Sequence, residues 1–164
     1  IPLVCIVIAK IINEEITDGV IYNPILDDFF WASKGKGSWC NNNRLRVSKR
    51  QDIIDCIIGT GIPHMDRIYP QYLKEIDAIT KNCAGLRRMG AASIDLAYVA
   101  AGKLDAYWER NLNIWDVSAG VLLVKEAGGR VSQPNGESWD IHSKDILVSN
   151  SNIHEIIQEK LEII

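Results

Sequence analysis

A carboxylate at the start of a predicted helix is the first feature of this sequence that could do chemistry. Asp116 lies where a loop becomes a helix, and the small residues Ser118, Ala119 and Gly120 follow it. A helix N-terminus attracts phosphate through its unpaired amides and positive dipole end, and small side chains let a ligand approach the backbone. A carboxylate there can bind a cation that bridges to the phosphate. Aspartate is also a preferred N-cap, so position alone favours a cap role by about three to one.

Other residues with useful chemistry stand near Asp116 in the predicted fold. Glu109 ends a predicted strand, and strand ends that face helix N-termini collect ligands in open α/β sheets. The run Gly59-Thr60-Gly61 follows an apolar segment and could expose backbone amides to an oxygen-rich ligand. Arg87 and Arg88 are adjacent, so they point to opposite faces of a strand and only one easily reaches a given site. Each feature also has an ordinary interpretation as a surface charge or a turn.

The elements that must position these residues divide into two predicted halves. Residues 1–50 predict an antiparallel meander, because apolar stretches alternate with polar turns. Residues 51–164 alternate strand and helix patterns, which indicates an α/β domain. The predicted strands are Ile1–Ile12, Thr17–Tyr22, Phe29–Ala32, Ile53–Thr60, Ala84–Arg88, Leu104–Trp108, Arg130–Ser132 and Ile146–Ser149, and the predicted helices are Asp66–Lys81, Ala92–Ala101, Asp116–Ala127 and Asn152–Ile163.

Composition narrows the class of protein. The 164 residues are 47% hydrophobic, and the net charge of −3 carries no long run of one sign, so direct binding to nucleic acid is not expected. Cysteines at 5, 40, 56 and 83 form no C-x-x-C pair, which favours reduced thiols in a cytoplasmic protein. The apolar run Ile1–Ile12 is too short to span a bilayer and lacks the basic start of a signal peptide, so no membrane partner is expected.

A two-part motif identifies a family resemblance. Residues 115–120 read WDVSAG and residues 126–129 read EAGG. Together they resemble the second signature of the inositol monophosphatase family, W-D-x-[AS]-A-G followed by E-A-G-G, as found in its bacterial members. Residues 19–48 are similar to the central meander of that family, so the resemblance covers nearly the whole chain. The resemblance implies the layered α/β sandwich of the inositol monophosphatase and fructose-bisphosphatase type. It also favours a ligand role for Asp116 over a role as helix cap alone.

The resemblance also implies roles for particular residues. Asp116 would be a Mg²⁺ ligand at the catalytic centre that also lies against the substrate, an inositol monophosphate. Glu109 would hydrogen-bond a substrate hydroxyl, and Arg87 would contact the substrate. The backbone of Gly61, Ile62 and Pro63 would meet the substrate, although proline has no amide proton to donate. Family members commonly dimerise, so a homodimer is expected.

The sequence also departs from the family. The D-P-[IL]-D-G-[ST] motif and an upstream glutamate pair, which supply most metal ligands, are not in these 164 residues. The first strand resembles the segment after that motif, so we expect a carboxyl-terminal part that is inactive alone. The meander should then expose an apolar face and pair with another chain. Two alternatives stay open: a related phosphatase for nucleotide 3′-phosphates or fructose bisphosphate, and a non-catalytic interaction protein in RNA-related complexes.

Overall fold

The first sheet is an antiparallel meander of five strands. A computed structural model describes residues 3–62 and 70–162. The strands are β1 (Ile6–Ile12), β2 (Glu15–Asn23), β3 (Asp28–Ser33), β4 (Gly37–Cys40) and β5 (Asn43–Arg44), in the order β1-β2-β3-β4-β5. The predicted meander is confirmed. The hairpin of β4 and β5 was not predicted, because its short strands lie between turn residues such as Gly35, whose φ is +75°.

The second sheet is mixed and lies with four helices in the rest of the described chain. Its strands are β6 (Ile57–Thr60), β7 (Gly85–Arg87), β8 (Ala106–Glu109), β9 (Arg130–Ser132) and β10 (Ile146–Ser149), in the order β7-β6-β8-β10-β9. The helices are α1 (Pro70–Thr80), α2 (Ala92–Ala100), α3 (Ile114–Glu126) and α4 (His154–Glu162). Strand β6 pairs parallel with β7 and β8, so the ends of β6 and β8 meet at one edge of the sheet.

Several predicted elements start at other residues in the structure. Within the described residues, β1 begins at Ile6 rather than at Ile1, and β8 begins at Ala106 rather than at Leu104. The predicted strand Ile53–Thr60 begins instead with a 3₁₀ turn, Ile53–Asp55, because the Cys56 amide bonds back to the Ile53 carbonyl. The strand proper starts at Ile57, whose amide donates to the Asp105 carboxylate at 2.7 Å. The predicted helix Asp66–Lys81 is described only from Pro70, and its earlier residues lie outside the described part.

Helices α2 and α3 lie between the two sheets, whereas α1 and α4 cover the outer face of the second sheet. One apolar core therefore joins Ile21 and Phe30 of the first sheet to Leu96 of α2 and Leu123 of α3. A second core lies under α1 and α4. The layered α/β class predicted above is confirmed. The division into domains at residue 50 stays a prediction.

The outer face of the first sheet is apolar and exposed. Ile6 and Ile8 on the edge strand β1 are 55% and 64% exposed. Trp31 and Trp39 stack across β3 and β4, with ring centroids 5.9 Å apart and planes within 11° of parallel. The uncovered face expected from the sequence is thus present in the described residues.

The described chain carries free cysteines, as the sequence analysis expected. Burial raises the pKa of the Cys56 thiol to about 12, so this thiol is chemically inert at neutral pH. Within residues 3–62 and 70–162, no helix has both the length and the apolar character needed to cross a bilayer.

Candidate active site

Asp116 occupies the first turn of α3, three residues after the N-cap. The N-cap is Asn113, whose backbone amide donates to Asp116 Oδ2 at 3.0 Å, and this is half of a capping box. The cap interpretation and the ligand interpretation are therefore compatible, because a second carboxylate oxygen remains. In the part of the chain that the structure describes, no hydrogen bond engages Oδ1. Asp116 also lines a cavity between the sheet edge and the start of α3.

The small residues after Asp116 serve packing. Ala119 is buried against Gly19 of β2, where an added Cβ on Gly19 would come within 2.9 Å of the Ala119 Cα. A Cβ on Gly120 would lie 2.5 Å from the Leu96 Cβ of α2. The expectation that these side chains open a path for ligand is wrong, since they let α3 approach β2 and α2 closely.

Glu109 lies at the end of β8, as predicted, and its carboxyl packs against Gly61. The hydroxyl of Tyr107 donates to Glu109 Oε2. A Cβ on Gly61 would fall within 1.9–2.1 Å of the Glu109 carboxyl atoms, so only glycine leaves room for them. Burial first, and then the Glu109 charge, raise the pKa of Tyr107 well above its usual value. The phenol therefore stays protonated and keeps donating.

A cavity of about 660 Å³ brings Asp116 and Glu109 to one space. Gly61, Ile62 and Trp115, which is 67% exposed, also line it, while the substrate contact assigned to Gly61 and Ile62 stays a prediction. Pro63 falls outside the described residues. A volume of this size suits a small organic ligand. The carboxylates thus lie on the walls of a single concave site, which sequence spacing alone did not guarantee.

The two adjacent arginines are placed differently. Arg88 lines the cavity, while Arg87 does not and donates from its guanidinium to the Leu86 carbonyl at 2.9 Å. The substrate contact assigned to Arg87 therefore remains a prediction. Sequence reasoning missed Arg88, although the rule that adjacent strand residues face opposite ways identified the pair as alternatives.

The other arginine on the cavity wall is engaged inside the protein. Arg110 Nε donates to Glu75 Oε1 at 2.7 Å, and its Nη1 donates to Asp145 Oδ2 at 2.9 Å. Glu75 is fully buried and also accepts a hydrogen bond from the Trp108 indole at 3.0 Å. This network fixes the chain directly after Glu109. Arg88 is in none of the ion pairs found among the described residues, so it is the cation better placed to meet an anionic ligand.

Two more residues of the site were missed by sequence reasoning. Ser93 of α2 donates from its hydroxyl to the Asp116 carbonyl at 2.7 Å and so holds α2 against the start of α3. Asp95 lies two residues further along α2. It is 1% exposed, and its Oδ1 has no hydrogen-bond partner in the described chain. Burial, and then the charge of Glu109, raise the pKa of Asp95 to about 8. Nothing in the sequence pattern distinguishes this aspartate from a surface one.

The described residues do not form a complete metal site. Among residues 3–62 and 70–162, no cluster of three or more histidine, cysteine, aspartate or glutamate side chains could hold an ion. Asp116 contributes one carboxylate that fits a hard cation. Mg²⁺ held by one protein carboxylate depends on further ligands from substrate, water or other protein groups.

Comparison with known proteins gives a consistent result. The model of the inositol monophosphatase family matches residues 1–164. The chain is 47% identical over 152 residues to an inositol-1-monophosphatase of Caulobacter vibrioides, a match that covers 91% of this chain and 59% of that protein. It is 40% identical to a Nus factor SuhB of Pseudomonas aeruginosa, with 92% of this chain and 57% of that protein covered.

Solved structures agree with the fold. The crystal structure of an extragenic suppressor protein SuhB from Bartonella henselae superposes with a TM-score of 0.94 at 42% identity, and the match covers 98% of this chain and 62% of that one. The chain therefore spans about six tenths of the length of the proteins that it matches.

Proposed function

The chain belongs to the inositol monophosphatase family, and on this premise we propose that its protein hydrolyses a phosphate monoester with Mg²⁺, with an inositol monophosphate as substrate. The observation that carries the proposal is that Asp116 and Glu109 line one cavity. The first sits at a helix N-terminus suited to phosphate, and the second is a carboxyl suited to a polyol. The cavity therefore offers one binding position for the phosphate group and another for the hydroxyl groups of a sugar-like phosphate.

The phosphate end of the proposed complex lies at the start of α3. The first-turn amides of a helix have no intrahelical acceptor, and the positive dipole end favours an anion. Arg88 on the same cavity wall adds a positive charge. We assign Asp116 the role of metal ligand and catalytic residue beside that phosphate. A Mg²⁺ ion bound there supplies Lewis acidity and an activated water. Because the described donor set is incomplete, we derive no step through the ion and propose that its other ligands come from elsewhere in the protein.

The polyol end lies at the ends of β6 and β8. The Glu109 carboxylate can accept hydrogen bonds from hydroxyl groups, which a flat apolar pocket could not offer. The backbone at Gly61 and Ile62 lines the same wall. A substrate rich in hydroxyls therefore suits this end. Trp115 on the same cavity wall offers a stacking surface for a base, so substrate profiling decides between inositol monophosphates and nucleotide 3′-phosphates.

Substrate profiling tests the proposal. We expect the full-length gene product to release phosphate from myo-inositol 1-phosphate faster than from a nucleotide 3′-phosphate or fructose bisphosphate. Glu109→Gln should raise KM for the inositol phosphate by about tenfold, the cost of one hydrogen bond to a charged group. Glu159→Gln, an exposed glutamate on α4, is the matched control. Equal rates on all three compounds, with no effect of Glu109→Gln, would refute the assignment.

A second role is proposed because a relative is named a Nus factor. The chain could serve as an interaction protein in an RNA-related complex, in the cytoplasm and as a homodimer, while its net charge of −3 argues against direct contact with nucleic acid. An affinity purification of the full-length protein that retains partners but shows no phosphatase activity would favour this role. Retained activity together with the substrate profile above would favour the enzyme.

A further inference from the structure

Asp95 is a buried acid beneath the cavity. It lies on α2 at 1% exposure, and one of its carboxyl oxygens has no hydrogen-bond partner in residues 3–62 and 70–162. Leaving a charged carboxylate unpartnered in such a place is costly, so a buried acid of this kind is held neutral. A neutral carboxyl carries a proton that it can donate. Asp95 is therefore a potential hydrogen-bond donor at a place where no role has been assigned.

The side chains of Asp95 and Tyr107 converge over one glycine of β6. A Cβ built on Gly59 would lie 3.0 Å from Asp95 Oδ1 and 3.1 Å from Tyr107 Cδ2. Both atoms are thus within contact distance of the position that a Cβ on Gly59 would occupy. The Tyr107 hydroxyl in turn donates to Glu109 Oε2. Asp95 and Tyr107 therefore flank the same point, and burial, the Glu109 charge and then the Asp95 charge raise the pKa of Tyr107. Tyr107 thus links Asp95 to the Glu109 carboxyl, electrostatically on one side and by a hydrogen bond on the other.

The two glycines of the Gly59-Thr60-Gly61 run each face one carboxyl. Gly59 leaves room for Asp95, and Gly61 leaves room for Glu109. Residues two apart on a strand point to the same face and are separated by about 7 Å. The missing side chains of Gly59 and Gly61 therefore leave space for two neighbouring carboxyl groups. The sequence analysis expected this run to expose backbone amides instead. Two anions in this setting would repel each other, which also favours a neutral Asp95.

We propose that Asp95 is a positioning residue for Glu109: its neutral carboxyl, acting through Tyr107, keeps the Glu109 carboxylate aimed into the cavity and so sets the affinity for the hydroxyl-bearing part of the substrate. This inference rests on the proposed function for its substrate and on the contacts above for its geometry. Asp95 itself touches no substrate. It shapes binding through its neighbours.

The charges around Asp95 shift its pKa in opposite directions. Glu109 on β8 raises the pKa of Asp95, while the Ala91 backbone and Arg88, after β7, lower it, and burial dominates. The Asp116 charge on α3 acts on Tyr107 rather than on Asp95. Strand β10 and the inward-facing residues of β2, which also pack on α2, carry no titratable side chain. Loss of the Asp95 proton therefore adds a second negative charge next to Glu109.

A ligand-free experiment tests the coupling. In the 164-residue chain labelled with ¹³C, the Tyr107 Cζ and Glu109 Cδ resonances are followed from pH 6 to pH 10. We expect both to shift with a midpoint near the Asp95 value of about 8, and we expect that shift to vanish in Asp95→Asn. A shift that persists in Asp95→Asn, or no shift in the wild-type chain, would overturn the proposal.

A binding experiment on the full-length gene product tests the consequence, with myo-inositol 1-phosphate and Mg²⁺ as the probe. Asp95→Asn, which keeps the shape and the neutrality, should bind within about twofold of wild type at pH 7, while Asp95→Leu should bind about tenfold more weakly. Asp77→Asn on the exposed face of α1 is the charge-matched control and should bind as wild type. Wild-type affinity should fall above pH 8, and Asp95→Asn should retain it.

The outcomes separate the two proposals. Equal affinity of Asp95→Leu and wild type, or a parallel loss of affinity above pH 8 in wild type and Asp95→Asn, would overturn the positioning role. If Asp95→Leu fails to fold, the pH comparison with Asp95→Asn decides alone. A full-length wild-type protein that binds no myo-inositol 1-phosphate contradicts the proposed substrate, and the ligand-free resonances then decide the role of Asp95.

Discussion

His154 is a buried imidazole whose ring nitrogens lie 2.9 Å from the Ser132 hydroxyl and 2.7 Å from the Ser149 hydroxyl. Burial, and then the Arg130 charge, lower the pKa of His154 from 6.5 to about 4. The unfolded chain therefore binds a proton between these values that the folded chain does not. Stability is complete above pH 6.5 and is lost as pH falls towards 4.

We therefore expect the free energy of unfolding to fall by roughly 1 kcal/mol per pH unit below pH 6 as His154 is forced to charge. Urea unfolding at a series of pH values measures this slope. His154→Asn should be less stable at pH 7 but should lack that part of the slope, whereas His142→Gln, at an exposed histidine, should retain it. Identical slopes in wild type and His154→Asn would contradict the assignment.

Gly61 gives a second test at the residue scale. In Gly61→Ala the methyl would overlap the Glu109 carboxyl, which is the far end of a flexible side chain and can move. The fold should survive with a small change in Tm, while affinity for myo-inositol 1-phosphate should fall about tenfold because Glu109 is displaced. Unchanged affinity in Gly61→Ala would contradict the proposed contact between Glu109 and the substrate.

Sequence reasoning identified Asp116, Glu109 and Gly61 because each carries a local signal: a motif, a strand end or a glycine pair. It did not find Asp95, because a single aspartate within a helix pattern is normally on the surface. It also could not choose between Arg87 and Arg88. That choice depends on which face of β7 turns towards the cavity, and only the pairing of β7 with β6 fixes it.

At the scale of elements, α3 is the helix on which the site depends, and its close contacts are testable. Gly120→Ala would place a methyl 2.5 Å from the Leu96 Cβ, so α2 and α3 would have to separate. Overpacking of this kind costs about 1–3 kcal/mol. We expect Gly120→Ala to lower the free energy of unfolding by that amount in urea. A neutral Gly120→Ala would contradict the close packing.

The second half of the motif is structural. Glu126 near the end of α3 accepts hydrogen bonds from the amides of Gly35 and Gly37, each at 2.8 Å, and so ties α3 to the turn between β3 and β4. Gly128 then ends the helix with a φ of +88°. The sequence predicted this stop and the bounds of β9 and β10. It could not predict what Glu126 bonds, since the partners lie about ninety residues away in the chain.

At the scale of the whole molecule, the exposed apolar face of the first sheet is expected to drive association between chains. Strand β1 is an edge strand, and apolar edges and faces promote pairing between chains. We expect the 164-residue chain to sediment as a dimer or larger species. The double variant Ile6→Lys, Ile8→Lys should shift it towards monomer, whereas Lys81→Ala, in the turn after α1, should not. A wild-type chain that sediments as a monomer at all concentrations would refute this expectation.

The layered arrangement of the molecule followed from the sequence more securely than its chemistry. Alternating strand and helix patterns after residue 50 and the closely spaced strands before it predicted two sheets. The position of α2 and α3 between these sheets depends on Gly19 and Gly120, whose missing side chains permit the close approach. The metal site could not be completed from either the sequence or the described residues, which hold no cluster of three or more potential ligand side chains; Asp116 is the one ligand proposed from them.

Phosphate release from myo-inositol 1-phosphate tests the central claim most directly. We predict Mg²⁺-dependent release by the full-length gene product, a loss of at least about a hundredfold with Asp116→Asn, and no release above background by the 164-residue chain alone. Asparagine can still accept the Asn113 amide hydrogen bond, so the helix cap should survive. Full-length activity that is unchanged by Asp116→Asn would contradict the role of Asp116. Mg²⁺-dependent turnover by the 164-residue chain would contradict the incomplete metal site.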